Sequence, residues 1–420
     1  RRLVFLHHCL CLFLGSTTAS LGSRMTAACF SRAGALLSTG LRAAPVLWQV
    51  ATSRHSPKSL LQQITAAADW LLEAQAAEGG YAHSFHFLNG WQSPYPETTG
   101  YIIPTLRRVY ALTSLERFHQ SFERAARWLI SQQNADGSFS DLSGRPQVFD
   151  TGQILIGFND LASNRSDVEV GEAQRRAARW LCGVQESDGS FKKFSYNGVV
   201  HSYYSRVGAA VCDAGMLLHD EALYDAGMRN LRWTIRQQRS NGFFGHLSFD
   251  DSSAPFLHTM VYVIEGLLQG YEATREELLW NAAWGFASEL LRISARDRFL
   301  RSQYDVNYSV VNREICLTGL AQWASVTFAL ADLSGESRWR TEGERVVRYL
   351  LKKQLSCEDK RLHGGIPGSA PFYGRYMRAA IPNWGVKFLI DALLSGLNAS
   401  EKGPGVSGHS RDSHSLDRAG

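Results

Sequence analysis

Two carboxylates stand out as candidates for chemistry: Glu97 in YPETTGY and Asp150 in VFDTGQ. A pair of carboxyl groups, or one carboxyl with a histidine or tyrosine, can supply the proton donor and acceptor that acid/base reactions on a sugar need. His201, Tyr203 and Arg206 bring three distinct chemistries to the start of an apolar stretch, HSYYSRVGAAV. The candidate catalytic residues are therefore Glu97, Asp150, His201 and Tyr203. Candidate substrate-binding residues are His83, Tyr95, Gln153, Arg206, His258, Gln322, Arg375, Arg378, Asn383 and Lys387. Arginine and lysine at such positions hold a carboxylate or phosphate, so the expected partner is an anionic oligo- or polysaccharide.

Several of these positions also have a structural reading. Thr98, Thr151, Thr259, Thr318 and Asn383 are residue types that cap helix N-termini. Asp136 and Asp188 each precede a glycine and suit a tight turn. A lone histidine such as His258 suits a hydrogen-bonded core position. The seven cysteines are scattered, and none has metal-ligand or CxxC spacing. Buried reduced thiols are expected, with neither a metal nor a cofactor.

What must position these residues is a repeat. The stretch RWLISQQNADGSF places Trp128, Gln133, Gly137 and Phe139 at fixed offsets. The same offsets recur at Trp70, Gln75, Gly79 and Tyr81, at Trp180, Gln185, Gly189 and Phe191, and at Trp233, Gln238, Gly242 and Phe244. Two weaker copies follow, Trp284 with Glu289, and Tyr349 with Gln354 ahead of Gly364-Gly365. Six copies at intervals of roughly fifty to sixty-five residues define a repeat architecture.

Between the copies lie second helical patterns at Tyr101–Leu112, Gly152–Leu161, Val207–Leu218, His258–Leu268, Leu317–Leu333 and Trp384–Leu394. The tryptophan helices carry an arginine-rich wet face, such as Arg175, Arg176 and Arg179. The intervening helices are apolar nearly all round and rich in Gly and Ala, as in VGAAVCDAGMLL. An inner ring of six helices inside an outer ring of six satisfies both patterns, so the predicted fold is an all-α (α/α)6 barrel of six helical hairpins. The hairpins alternate in direction, so every DGSF-type loop leads to an inner N-terminus at one mouth. Those N-termini carry partial positive charge and unpaired N–H groups, which favour an anionic ligand there.

The net charge of +5 resides in the N-terminal segment. Residues 1–68 hold seven bases and no acid, leaving 37 bases against 39 acids in the remainder. The near-neutral body offers no basis for nucleic-acid binding, and the sequence leaves membrane association open. Residues 1–57 are read as a leader, 58–398 as the barrel and 399–420 as a disordered Gly/Ser-rich tail. LVFLHHCLCLFL resembles a signal-peptide core, whereas a start at Met25 makes residues 1–24 upstream translation. The acid-free, Arg- and Ser-containing segment after Met25 also suits an organellar transit peptide. The expected location is cytoplasmic, or secreted or organellar if the leader operates.

The W-x4-Q-x3-G-x-[FY] unit resembles the repeat of terpenoid cyclases and protein prenyltransferase β subunits from about Lys58 to Leu397. That resemblance implies an α/α toroid. It does not extend to the cyclase D-x-D-D acid, because Phe249-Asp250-Asp251 lacks the leading Asp. FLHTMVYVIEGL is similar to the prenyltransferase histidine helix, but no Asp/Cys zinc partner accompanies it. A closer likeness runs through YPETTGYIIPTL, VFDTGQ, CLTGLAQWA and GGIPGSAPFYGRYMRAAIPNWGVKFLIDALL. Together these look like VpsJ-like polysaccharide biosynthesis proteins, which implies a role in bacterial exopolysaccharide production. The leading functional expectation is acid/base chemistry on an anionic glycan at the barrel mouth. An isoprenoid enzyme of cyclase or prenyltransferase type, and a non-catalytic glycan-binding scaffold, are the alternatives.

Overall fold

The computed structural model describes residues 44–53, 58–250 and 253–401. The leader segments around residues 3–14 and Met25 lie outside the described residues, as does the tail from 402. A helix over residues 44–52, α1, falls in the span read as leader, yet Val46, Leu47 and Val50 are buried in the core. The Ser356 N–H donates to Ser53 Oγ at 2.8 Å, tying this segment to the last repeat.

Twelve further helices form the barrel. The outer ones are α2 (Leu60–Glu73), α4 (Glu116–Gln132), α6 (Val168–Val184), α8 (Glu221–Arg236), α10 (Glu277–Asp297) and α12 (Ser337–Leu351). The inner ones are α3 (Pro96–Thr113), α5 (Val148–Asn164), α7 (Ser205–Leu218), α9 (Leu257–Thr274), α11 (Leu317–Ser334) and α13 (Asn383–Glu401). Each inner helix packs on the next, and α13 packs back on α2 and α3, so the ring closes. The fold is the expected all-α (α/α)6 barrel. Short strands decorate the mouth: β1 (Ser84–His86) pairs with β2 (Gly90–Trp91), β3 (Gln303–Tyr304) with β4 (Val310–Asn312), and β5 (Ile315–Cys316) with β6 (Ser369–Ala370), while β7 (Ala380–Pro382) pairs with β1 and joins the first and last repeats.

The repeat residues explain the closure. Gln133 Nε2 donates to the carbonyl of its own turn glycine, Gly137, at 3.0 Å and to Ala173 O of the next outer helix at 2.9 Å. Gln75, Gln185 and Gln238 make the equivalent pair of bonds. Gln354 donates to Gly364 O and to Gln63 O, which stitches the sixth repeat to the first. Glu289 cannot donate in the fifth copy and pairs with Arg292 instead. The turn glycine is required by the same junction. Gly137 sits at φ 97°, and a Cβ there would lie 2.5 Å from the Arg176 carbonyl oxygen of the neighbouring outer helix. Asp136 accepts the Ser138 N–H at 3.0 Å, the turn role expected of it.

The inner ring is closely packed because its small residues let backbones touch. A Cβ on Gly157 of α5 would lie 2.3 Å from the Gly100 carbonyl oxygen of α3. Pro104 has no N–H to reach Gly100 four residues earlier, which leaves that carbonyl free for the approach. Thr151, expected as an N-cap, does different work. Its Oγ1 accepts the Phe139 N–H at 3.0 Å, as Thr99 Oγ1 accepts the Tyr81 N–H at 3.0 Å, so both clamp the loop aromatic that closes the repeat. No side-chain cap bond forms on α3, α5, α7 or α9. On α11 a side-chain cap does form, with Cys316 Sγ accepting the Gly319 N–H.

Removing the amide that joins the sixth and first repeats leaves buried carbonyls without a donor. Gln354→Ala is expected to lower stability by about 2 kcal/mol or more in a denaturant titration, the cost of unsatisfied buried acceptors.

Candidate active site

A cavity of about 580 Å³ opens at the end where the inner helices begin. Its carboxylates come from two neighbouring hairpins. Glu97 lies in the first turn of α3 behind Pro96, and Asp150 in the first turn of α5. The Tyr95 hydroxyl donates to Asp150 Oδ2 at 2.7 Å, bridging the two repeats. The walls are aromatic, with Phe149, Tyr203, Phe249, Phe256, Tyr376 and Trp384 among them. Asp141 and Arg145 reach the rim from the loop after Phe139, and Arg375 from the loop before α13.

Electrostatics separate the acids. Burial pushes the Asp150 carboxyl up to about 7, the Tyr95 hydrogen bond opposing and the Asp141 charge adding to the shift. Burial also lifts Glu97 well above the ordinary carboxylate range, and the nearby Asp150 charge lifts it further against Arg206. A helix N-terminus favours a carboxylate by at most about 2 kcal/mol, so here burial and like charge win. Asp141 goes the other way. Burial raises it, but hydrogen bonds from Ser143, Gln147 and the Arg145 N–H outweigh that and hold it at about 2. Two acids that resist ionisation thus face one that is always charged, the kind of separation that assigns donor and acceptor roles.

His258 forms part of the cavity wall and heads a buried chain. Its Nδ1 lies 2.5 Å from Gln322 Oε1, and Gln322 Nε2 donates to Glu265 Oε2 at 3.2 Å. Glu265 is ion-paired with Arg206 at 2.7 Å, and Arg206 Nε donates to Gln153 Oε1 at 3.1 Å. A carboxylate only accepts, so the Gln322 NH2 must face Glu265 and its oxygen must face His258. Nδ1 therefore carries the proton, and Nε2 is the free base of the ring. Burial holds His258 at about 3, with the Arg206 charge in the same direction, so it stays neutral at physiological pH. His83 is likewise depressed by burial, to about 4, and packs edge-on against Trp384 at 4.7 Å.

Of the sequence-derived set, His83, Tyr95, Glu97, Asp150, Tyr203, His258 and Arg375 line this one cavity. His201 does not. Its ring nitrogens sit 3.0 Å from Ser248 O and from Tyr196 O, and it stacks under Tyr203, so it fastens two mouth loops from behind the wall. Gln153, Arg206 and Gln322 belong to the chain beneath the floor. Lys387 lies deeper still, bound to Asp391 at 2.6 Å, while Asn383 donates to Ala82 O and Thr98 Oγ1. Arg378 is exposed and outside the cavity. The sequence reading missed Asp141, Tyr262 and Glu265. The last two had a legible signal: His258, Tyr262 and Glu265 stand at i, i+4 and i+7 on an otherwise apolar helix, one face over two turns. Among the described residues no group of three or more His, Cys, Asp and Glu is arranged to hold a metal ion.

No protein-family model matches this sequence, and no curated protein matches it. Solved structures do share its shape. An unsaturated glucuronyl hydrolase specific for heparin superposes with a TM-score of 0.65 at 15% identity, covering 81% of this chain and 98% of that one. Cellobiose 2-epimerase from Bacillus thermoamylovorans gives 0.64 at 11% identity, over 79% of this chain and 97% of its own. A D-mannose isomerase gives 0.64 at 10%, over 82% and 98%. The fold thus defines an α/α toroid of the architecture these proteins have, and at such identities the likeness is one of fold.

Two stability predictions follow from the buried charges. Arg206→Ala leaves Glu265 buried without its counter-charge and is expected to cost about 3–5 kcal/mol, whereas replacing both by apolar residues of similar size recovers most of it. Asp150 has a folded pKa above its unfolded value, so its contribution is fully present below about pH 4 and is lost as pH rises through about 7. Asp150→Asn is therefore expected to gain stability over the parent between those limits, the difference levelling above pH 7 in denaturant titrations.

Proposed function

We propose that the protein is a glycan-processing hydrolase acting on an anionic sugar, with Glu97 as proton donor and Asp150 as the base that partners it. The observation that carries this reading is the pairing of the two carboxyl groups in one aromatic-walled cavity, with Tyr95 fixing Asp150. Two interacting acids that both resist ionisation share protons as a pair. Glu97, which holds its proton more firmly, gives it to the oxygen of the scissile bond as that bond breaks. Asp150, the member that ionises first and whose charged form Tyr95 stabilises, takes a proton from the water whose oxygen bonds to the sugar carbon. Aromatic walls suit the apolar faces of sugar rings, and the exposed Arg145 and Arg375 at the rim suit a carboxylate or sulfate. The similar folds bear names of sugar hydrolysis, epimerisation and isomerisation, which support carbohydrate chemistry for this one.

The resemblance through GGIPGSAPFYGRYMRAAIPNW supports a place in polysaccharide biosynthesis, in the cytoplasm unless the leader directs the chain elsewhere. No helix among the described residues is long and apolar enough to cross a membrane. The aromatic lining favours a second reading, an isoprenoid enzyme, since such walls stabilise cationic intermediates. Incubation with prenyl diphosphates and with uronic-acid oligosaccharides separates the two by product mass. Binding of the oligosaccharides with no product from either would favour a scaffold.

A base must be ionised, so kcat/KM is expected to rise as pH rises through about 7, where Asp150 loses its proton. Tyr95 donates to the charged form of Asp150, so Tyr95→Phe is expected to move that acid limb upwards by on the order of one pH unit. Asp150→Asn should lower kcat by about 10²–10⁴ with unchanged circular dichroism. Full turnover in that variant on a responsive glycan overturns the assignment, and incorporation of ¹⁸O from labelled water checks hydrolysis.

A further inference from the structure

The cavity does not end at its rim. Arg375 also lines a second, shallower pocket of about 540 Å³ that runs over the outer side of the mouth. Its floor is the β5–β6 pair, where Ile315 (β5, Ile315–Cys316) stands opposite Ala370 (β6, Ser369–Ala370). Arg313 and Glu314 lead into β5, and Pro371, Tyr373 and Arg375 follow β6, so the strand pairing brings the two segments together. Arg301 completes the wall.

The charges here are unbalanced. Three arginines line the pocket against one carboxylate residue, Glu314, which accepts the Arg375 backbone N–H at 3.1 Å. Arg301 donates to the carbonyls of Arg313 and Asp297, which orients it without neutralising it. The Asp297 carboxylate beside it is paired with Arg296 at 2.7 Å. Among the described residues, neither Arg313 nor Arg375 makes an ion pair, and Tyr373 leaves 42% of its surface exposed in the same pocket. A row of unpaired guanidiniums offers bidentate donors to carboxylate or sulfate, and an exposed tyrosine offers a flat face to a sugar ring. Other surface arginines are spent on partners, as in Arg117–Asp69 and Arg232–Glu276.

We infer that this arginine-lined pocket is a distal subsite for an oligosaccharide, holding carboxylate or sulfate groups of sugar units beyond the one in the cavity. It rests on the glycan reading of the cavity and adds the requirement that the substrate be a polyanionic chain longer than a disaccharide. Arg375, shared by both pockets, bridges the unit in the cavity and the units outside it.

The test is calorimetric titration of the full chain with heparin-derived disaccharide and tetrasaccharide, and with carboxylate-only oligogalacturonides of the same lengths. In Arg301→Ala/Arg313→Ala, affinity for the tetrasaccharides is expected to fall about tenfold or more, with disaccharide affinity within about twofold of the parent. Loss confined to the heparin series identifies sulfate as the group held, and loss in both series identifies carboxylate. The salt dependence of tetrasaccharide binding should flatten in the double variant, and Arg313→Lys should recover part of it. Equal affinity for both lengths in the parent, or no loss in the double variant, overturns the subsite. Because binding is read without turnover, a length-dependent loss that persists when no product forms refutes only the proposed reaction.

Discussion

The repeated glutamine amide is the interaction on which the rest depends. An outer helix must stop, turn and send the chain inward, and the turn exposes a glycine carbonyl just where the next outer helix brings another. One NH2 group has two hydrogens, and each of five glutamines spends them on that pair of oxygens. The bond from Gln354 to Gln63 turns a row of hairpins into a ring. A ring has one mouth at which all inner helices begin, so the amide geometry decides where a site can exist.

The mouth is also where the fold tolerates what it excludes elsewhere. Most of the inner ring is apolar, yet Arg206, Glu265, Lys387 and Asp391 lie buried within it as ion pairs. Such pairs add little net stability over apolar packing, so their value lies in orientation. Through Gln322 the Arg206–Glu265 pair selects one tautomer of His258. Above that layer the carboxyls have no such counter-charge. Burial lifts Glu97 and Asp150, with only a partial offset from Arg206 on the first and from the Tyr95 hydrogen bond on the second, and Asp141 is held down by donors from its own loop. The reactive acids and the quiet acid thus differ in hydrogen-bond supply, within one cavity.

Much of this was legible in the sequence, and the failures have physical reasons. Fixed offsets of Trp, Gln, Gly and Phe or Tyr set the hairpin count, the ring and the end that carries the site. Polar residues at the inner-helix starts pointed to Glu97, Asp150, Tyr95 and His258. His201 was legible as an unusual polar residue, but its sequence position does not say which way the ring faces. The loop over Ser248 and Tyr196 supplies two carbonyls that draw it behind the wall. Gln322 and Lys387 sit about a turn beyond the helix starts, and at 1.5 Å per residue that depth carries them below the floor, whereas Arg206 stands second in α7 and is drawn under it by Gln153 and Glu265.

The sequence by itself determined the architecture, because a local pattern repeated six times has one compact way to bury its apolar faces. It also determined the residue types available at the mouth. Which of them share a cavity was decided by tertiary structure alone, since Asp150, Tyr95, His258 and Arg375 come from different hairpins and meet only when the ring closes. The protonation of those groups was decided there too. A carboxyl at a helix start is favoured as an anion by its own backbone, and only enclosure by aromatic walls from other repeats reverses that preference.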